Sequence, residues 1–374
     1  MDAGSLVPPP HVARPLRLLP FRGLTLAPKR IGAPSSVRAF TRPYRDVADR
    51  LQRWERRGEL SHDEAPAVYL HEYTSGALSV RGLVGALDIS RPATGRDDVA
   101  VFPHEGVHPA QAAELAARMS EMQTNPAPIL LVHRGPEPLR DLMDNLQRRD
   151  PLREFTDRGG QHHRVWAIRD EHHQAFLGRC LEPARAVIAD GHHRYAAYLR
   201  MQQDDPRAAT GAGLAMLVDQ DDTPLYLGPI HRVLGHVTID GLRTAAERTG
   251  ATFRLADAAP AVAALASDTL VATDGRSWAT VRLEVPADRL AVEVLHERLL
   301  PAVTPRPTRV AYHHAVDDAL TDIASRPGLA VLLPAPGFGQ VLATCRADRL
   351  LPEKATSFQP KPSVGVLIRS LRDE

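Results

Sequence analysis

The sequence predicts a mixed α/β protein in which helices cover mixed β-sheets. From residue 109 onward, segments with a periodic apolar face alternate with short apolar runs that are typical of buried strands. At the centre of this alternation, the apolar run 187–189 leads through Asp190-Gly191 into a helix-forming segment. A chain of 374 residues is long enough for more than one hydrophobic core. We therefore expect two α/β domains.

The expected elements follow from apolar periodicity and from turn residues between the periodic segments. Expected helices cover 44–57, 109–122, 136–148, 170–181, the segment after Gly191, 239–249, 258–266, 289–299 and 314–325. Expected strands cover 67–73 and 78–89 as a hairpin, then 129–132, 164–168, 187–189, 214–218, 225–227, 251–255, 278–285, 310–313 and 329–333. The final stretch from Leu350 is marked by proline and lysine, and we expect it to be irregular.

Domain limits follow from composition. Residues 1–20 contain three consecutive prolines and interspersed arginines but no apolar signal-peptide core, which predicts a disordered leader. We expect an N-terminal domain over 21–235 and a C-terminal domain over 236–374. The last segment of the second domain, 350–365, is expected to return to the site.

Composition narrows the class of protein. The formal net charge is +1, which gives no reason to expect nucleic acid or a membrane surface as a partner. No apolar run is long enough to span a membrane. The two cysteines, Cys180 and Cys345, are too few for a disulfide framework, and a reducing cytoplasm is the simplest setting.

The segment from Asp190 to Arg194 carries the strongest chemical signal. Gly191 allows a tight turn between strand and helix, and the first helical turn presents N–H groups and the positive end of the helix dipole. His192, His193 and Arg194 add donors at the same place. This arrangement suits an anion such as phosphate. The alternative is a solvated turn with surface histidines.

Other polar signals also fall at the ends of apolar segments. They are His104-Glu105, His231-Arg232, and a C-terminal segment with Lys354, Thr356, Ser357 and Lys361. Lysine occurs only three times in the chain, and two of the three lie in this last segment. Because strand ends at one edge of an α/β sheet converge on a crevice, these groups predict a composite site. Its inventory fits phosphoryl transfer, in which catalysis is mostly positioning and charge neutralisation.

Metal binding has weaker support in the sequence. Adjacent histidines, as at 162–163 and 192–193, diverge on a strand or a helix and rarely supply two ligands to one ion. Asp219, Asp221 and Asp222 offer the carboxylates that Mg²⁺ prefers, although a solvated acidic turn explains them as well.

At these residues a family resemblance becomes specific. The segments 188–195, 225–232 and 351–365, together with His104-Glu105, resemble the prokaryotic family of unknown function DUF1015 over about residues 21–374. The Gly-His-His-Arg-Tyr run is also similar to the signature of the ParB/sulfiredoxin superfamily, which includes free-serine kinases. That resemblance implies a nucleotide-binding core, with an additional α/β domain, in which Gly191, His193 and Arg194 hold the phosphates of ATP or ADP.

Three departures from these patterns bear on function. Sulfiredoxins have a cysteine where this chain has His192, which excludes sulfur chemistry at that position. A serine usual in the C-terminal motif is Ala355 here, and the region between Phe21 and Tyr44 is shortened. The substrate is therefore expected to differ from that of the rest of the family, or activity to be lost.

The leading hypothesis is a nucleotide-dependent phosphotransferase that acts on a small hydroxyl compound such as free serine, or the reverse phosphoserine dephosphorylation. Glu105 would take the acceptor proton, with His104, Asp190 and His192 beside it and a Mg²⁺ ion completing the site. Lys354, Thr356 and Ser357 would join His193 and Arg194 at the phosphates, and His231, Arg232 and Lys361 would anchor the substrate.

The alternatives are a non-catalytic nucleotide- or phosphate-binding regulatory module, and DNA binding of the ParB kind. The near-neutral charge and the lack of an evident recognition helix argue against DNA. A homodimer is compatible with the sequence but has no specific signal in it.

Overall fold

The computed structural model describes residues 6–34, 36 and 47–372, and it divides the chain into two compact units. Unit 1 comprises residues 1–225 and 360–374, and unit 2 comprises residues 226–359. The mixed α/β class predicted from the sequence is confirmed, since both units combine helices with mostly antiparallel sheets.

Unit 1 contains five described helices and two sheets. Its helices are α1 (Val47–Arg56), α2 (Pro109–Met122), α3 (Glu137–Gln147), α4 (Glu171–Leu181) and α5 (His192–Asp204). Its strands are β1 (Val12–Ala13), β2 (Leu18–Leu19), β3 (Gly23–Leu26), β4 (Leu60–His62), β5 (Val68–Ser75), β6 (Leu78–Asp88), β7 (Val99–Phe102), β8 (Thr124–Asn125), β9 (Ile129–His133), β10 (Arg153–Thr156), β11 (His162–Ile168), β12 (Ala186–Asp190), β13 (Ala212–Asp219) and β22 (Ile368–Ser370). Residues 44–46 of the first predicted helix lie outside the described residues.

Unit 2 is built around a six-stranded sheet and a separate two-stranded ribbon, in which Tyr226–Gly228 pairs with Ser357–Gln359. Its strands are β14 (Tyr226–Gly228), β15 (His231–Gly235), β16 (Thr252–Ala256), β17 (Thr269–Thr273), β18 (Trp278–Arg282), β19 (Val310–His313), β20 (Gly328–Leu332) and β21 (Ser357–Gln359). Its helices are α6 (Ile239–Thr249), α7 (Ala258–Ala263), α8 (Ala291–Val294), α9 (Leu300–Ala302), α10 (Val316–Ser325) and α11 (Phe338–Arg346), and a π-helical turn, Leu295–Leu299, joins α8 to α9.

The ten-stranded sheet of unit 1 determines where its polar strand ends meet. Its order is β1-β7-β12-β9-β13-β6-β5-β11-β10, with β2 added beside β6. Strands β7 and β12 are parallel, so the loops that follow them leave the sheet at the same end. Strand β9 runs antiparallel to β12, with Asp190 paired to Leu130 at the start of β9. The same end of the sheet therefore carries the loop after Phe102, the Asp190-Gly191 turn and the chain that enters β9.

Tyrosine packing fixes helix α5 against this sheet. Tyr198 is 2% exposed, and its hydroxyl donates to the carbonyl oxygens of Ala127 at 3.2 Å and Leu214 at 3.3 Å. Its ring lies over Gly213, where an added Cβ would meet the ring at 2.2 Å. A glycine is thus required for the close approach of helix to strand.

Several sequence predictions differ from the structure. The leader expected to be disordered is ordered over its described part, because Val12 and Leu16 are buried and β1 pairs with β7. The C-terminal stretch expected to be irregular forms β21 and β22, since its short apolar segments find partners in β14, β3 and β8. The division between units falls at Leu225/Tyr226 rather than after residue 235, because β15 pairs with both β19 and β20 of unit 2.

Candidate functional site

The turn between β12 and α5 has the geometry that the sequence predicts for it. Gly191 is the N-cap of α5 with φ +94°, a conformation that side chains of L residues rarely adopt. A Cβ at this position would lie 3.0–3.1 Å from the guanidinium of Arg194 and from Ile129. The glycine therefore lets the strand enter the helix in one residue and leaves room for the arginine beside it.

Asp190 holds two cations at this turn. Its Oδ2 accepts from Nη2 of Arg194 at 2.6 Å, and its Oδ1 accepts from Nζ of Lys361. Arg194 also donates through Nη1 to the carbonyl oxygen of Pro128 at 2.6 Å. The side chains remain partly exposed: Asp190 28%, Arg194 23% and Lys361 47%. Two cations on one carboxylate give this helix N-terminus a net positive charge that solvent can reach.

The two adjacent histidines hold the loop that follows β7. Nε2 of His192 accepts from the backbone N–H of His104 at 3.3 Å. The rings of His104 and His192 pack edge to face, with 4.6 Å between their centroids. Nε2 of His193 accepts from the backbone N–H of His108 at 3.1 Å. Because each Nε2 is an acceptor, the proton of each neutral ring is on Nδ1. His192 thus supports the loop, and His193 anchors the start of α2.

The loop after β7 carries His104 and Glu105, and Glu105 is the base predicted from the sequence. His104 is fully buried, and burial lowers its pKa to about 4, so that its ring is neutral at physiological pH. Glu105 follows it and is half-buried. The structure therefore brings His104, Glu105, the segment 190–194 and Lys361 to one end of the sheet of unit 1.

The remaining predicted site residues belong to unit 2. Lys354 is exposed with φ +56°, Thr356 is half-buried, and Ser357 begins β21. His231 and Arg232 open β15 and are buried, at 3% and 0% exposure. Their predicted roles in ligand binding stay predictions.

Arg232 donates three hydrogen bonds within unit 2. It donates to the carbonyl oxygens of Ile230 at 2.6 Å and Glu353 at 3.2 Å, and its Nε donates to His296 at 3.2 Å. Nδ1 of His231 accepts from the N–H of Leu333 at 3.2 Å, and burial lowers the pKa of His231 to about 4. Both side chains thereby stabilise the sheet around β15.

The acidic turn at 219–222 lies at the other end of the sheet. Asp219 is buried and accepts from Nε of Arg140 at 2.7 Å, and Asp222 accepts two hydrogen bonds from Arg81. Asp219 and Asp222 are therefore engaged in ion pairs, whereas Asp221 is exposed as expected for a solvated turn. Over the described ranges, no group of three or more histidine, cysteine, aspartate or glutamate side chains could hold a metal ion.

A Mg²⁺ ion does not fit at Asp190 as the sequence hypothesis placed it, because Arg194 and Lys361 engage both carboxylate oxygens. Phosphate binding at this turn stays a prediction. Phosphate oxygens accept hydrogen bonds from cationic side chains and from the N–H groups of a helix N-terminus.

Sequence reasoning missed other residues that shape this end of the sheet. Arg369 is fully buried and donates to Oδ1 of Asn125 and to the carbonyl oxygens of Ala209 and Ala212. The carbonyl of Pro128 receives Arg194. The Asn125-Pro126 pair before a strand was the sequence signal for the residue that Arg369 contacts. A backbone carbonyl, such as that of Pro128, has no sequence signal.

None of the described helices is both long enough and apolar enough to cross a lipid bilayer. Fold and site together define a mixed α/β protein with a cationic helix N-terminus at one sheet end. The chain belongs to the family described as "Protein of unknown function (DUF1015)", whose sequence profile matches residues 20–299. No curated protein matches the chain.

Three solved structures are distant likenesses of the chain. A variant of free serine kinase in complex with ADP is 12% identical with a TM-score of 0.39, covering 71% of this chain and 88% of that chain. SbnI with a C-terminal truncation, from Staphylococcus aureus, is 10% identical with a TM-score of 0.42, covering 74% and 87%. A conserved hypothetical protein from Pyrococcus furiosus is 12% identical with a TM-score of 0.39, covering 73% and 93%. Likenesses this distant do not say what the chain binds.

Proposed function

We propose that the β12–α5 end of unit 1 binds the phosphates of a nucleotide, ATP or ADP, and that the protein transfers the terminal phosphoryl group to a small hydroxyl compound. The terminal phosphoanhydride bond breaks, a phosphate ester forms at the hydroxyl oxygen, and ADP or AMP leaves. The observation that carries this proposal is the pair of cations, Arg194 and Lys361, fixed on Asp190 at the first turn of α5. An anion that reaches this turn meets two positive charges and the positive end of the helix dipole.

Each residue of this end has a role in the proposed reaction. Arg194 and Lys361 neutralise charge on the phosphates, and Asp190 keeps both cations in place. Glu105, on the loop that His192 and His193 hold, accepts the proton of the attacking hydroxyl. A free amino acid such as serine is the proposed acceptor, following the resemblance of the 190–195 motif to that of free-serine kinases. The reverse reaction on phosphoserine uses the same groups.

Binding is tested with ADP and ATP by calorimetry on wild type and Arg194→Ala. Loss of a charge-assisted contact is expected to weaken binding about 10- to 100-fold. Arg200→Ala is the matched control, because Arg200 lies on the same helix and also pairs with an aspartate four residues away, Asp204 at 3.5 Å. Equal effects of the two substitutions, or no binding to the wild type, would contradict the proposed site.

Turnover is tested by ³¹P NMR with a panel of hydroxy amino acids and phosphoserine. Glu105→Gln is expected to lower turnover about 10²- to 10⁴-fold while ADP affinity stays unchanged. A second candidate function, a non-catalytic nucleotide-binding module, is favoured by Asp190, whose two oxygens are taken by cations. That module predicts nucleotide binding with no product formed by either the wild type or Glu105→Gln.

A further inference from the structure

Lys361 reaches Asp190 from a segment that crosses unit 1 before strand β22. We call residues 360–366 the strap. Its last residues are fixed by strand β3, since the carbonyl of Gly365 accepts from the N–H of Leu26 and the carbonyl of Val366 accepts from Oγ1 of Thr25, both at 2.9 Å. These contacts hold the end of the strap and leave the position of Lys361 to be fixed by something else.

The turn between β10 and β11 fixes the beginning of the strap. Gln161 donates through Nε2 to the carbonyl of Lys361 at 2.9 Å. Its Oε1 accepts from both the N–H and the hydroxyl of Ser363 at 3.0 Å. On the other side, the hydroxyl of Tyr73 donates to the carbonyl of Pro360 at 2.7 Å. Gln161 thus binds the backbone at Lys361 and at Ser363, and Tyr73 binds it at Pro360, just before the lysine.

A buried polar chain holds this turn. Asp157 accepts from the N–H of Gln161 at 2.9 Å, lies 3.1 Å from Nε2 of His163, and is 6% exposed. Nδ1 of His163 lies 3.1 Å from Nε2 of His71, and both rings are buried. Burial alone would raise the pKa of Asp157, but hydrogen bonds from Ser363, His163 and the Gln161 backbone hold it below its usual value.

The carboxylate of Asp157 determines which atom is the donor in each hydrogen bond of this chain. Ionised Asp157 accepts only, so Nε2 of His163 donates to it, and Nδ1 of His163 then accepts from His71. Burial lowers the pKa of both histidines, which keeps their rings neutral and this single direction in place. The turn that carries Gln161 is therefore anchored to two strands of the sheet.

We propose that Gln161 is a positioning residue for Lys361: it holds the strap so that the ammonium group stays against Asp190. The proposal rests on the proposed function only where ligand binding is concerned, because the placement of the strap is a property of the protein alone. Gln161 touches no reacting group in this scheme and acts through Lys361.

Placement is tested by amine acetylation followed by peptide mass spectrometry. The chain has three lysines, so Lys29 and Lys354 serve as internal references for Lys361. In Gln161→Ala the strap loses the contacts of Lys361 and Ser363 with Gln161, and the relative labelling rate of Lys361 is expected to rise about fivefold or more. Gln161→Glu keeps the oxygen that accepts from Ser363 and should give an intermediate rate.

The matched control is Gln174→Ala. Gln174 is half-buried and donates to the carbonyl of Ile168 at 3.0 Å, so the same side chain is removed with no contact to the strap. Its Lys361 labelling is expected to equal that of the wild type. The proposal would be overturned if Gln161→Ala keeps the melting temperature of the wild type and the labelling rate of Lys361 is unchanged.

Action through Lys361 is tested by a double-mutant cycle on ADP affinity. Lys361→Ala is expected to weaken binding about tenfold and Gln161→Ala about three- to fivefold. The double variant should bind no worse than Lys361→Ala, whereas a general structural role would multiply the two losses. If wild type does not bind ADP, the proposed function fails, and the labelling rates still decide the placement of the strap.

Discussion

The two ends of the ten-stranded sheet in unit 1 both carry arginine–carboxylate pairs, and they differ in charge ratio and exposure. At one end, Asp190 takes two cations and all three side chains stay partly exposed. At the other end, Arg81 takes two carboxylates, Asp222 and Asp144, and the arginine is only 8% exposed. We call these the open end and the closed end.

The closed end shows what a structural ion-pair cluster looks like in this fold. Nε and Nη2 of Arg81 bind Asp222 at 2.6 and 2.9 Å, and Nη1 binds Asp144 at 2.5 Å and also Gln147. Asp219 is buried under Arg140 in the same region. Carboxylates outnumber Arg81 and engage its donors, so Arg81 itself is not placed to bind an anion. The two ends of the sheet contain the same types of residue. Only the exposure of the side chains and the ratio of cations to carboxylates distinguish a candidate site from a structural cluster.

The largest expected effect is acid destabilisation, because buried histidines lie at both ends. Burial lowers the pKa of His104 at the open end and of His133 at the closed end to about 4, and of His231 and His296 in unit 2 likewise. The unfolded chain takes up these protons near pH 6.5 and the folded chain does not, so stability is full above about pH 6.5 and is lost as pH falls towards about 4.

Calorimetric melting between pH 8 and 4 checks this expectation. The melting temperature should be flat above about pH 7 and fall below about pH 6.5. His133→Gln should make the fall shallower, whereas His172→Gln, at an exposed position, should leave it unchanged. A flat profile down to about pH 5 would contradict the buried neutral rings.

The next largest effect separates the two ends directly. Arg81→Met removes the one cation between Asp222 and Asp144, and is expected to lower the free energy of unfolding by about 3 kcal/mol. Lys361→Met at the open end removes a partly exposed partner and should cost less than about 1 kcal/mol. Urea unfolding of both variants measures the difference. Similar losses would mean that the open end is also a structural cluster.

The sequence predicted much of the fold because long periodic segments carry their own boundaries. Helices Pro109–Met122 and Ile239–Thr249 match the predicted limits, helped by a proline at the start of one and by Gly250 after the other. The missed strands, such as Arg153–Thr156 and Thr269–Thr273, are short, and their pairing depends on partners elsewhere in the chain.

The sequence named residues that lie together at the open end, but it did not predict how they pair. The Asp190–Arg194 segment is local, so its turn and helix could be read from the sequence. The contact between Asp190 and Lys361 joins residues far apart in the sequence, and no local pattern predicts it. The same holds for Gln161, which follows an ordinary turn and becomes informative only when the strap lies beside it.

The smallest effect tests the geometry of the open end. Gly191→Ala places a side chain at φ +94° and within 3.0–3.1 Å of Arg194 and Ile129. The strained backbone is expected to cost about 1–2 kcal/mol, and displacement of the guanidinium should weaken ADP binding as well. Gly178→Ala is the matched control, because a Cβ there meets nothing within 4 Å in the middle of α4. That substitution should stabilise the protein by about 0.5–1 kcal/mol through helix propensity. Opposite signs in urea unfolding, with ADP affinity lost only in Gly191→Ala, would show that the turn is built for the arginine and for the anion that the arginine meets.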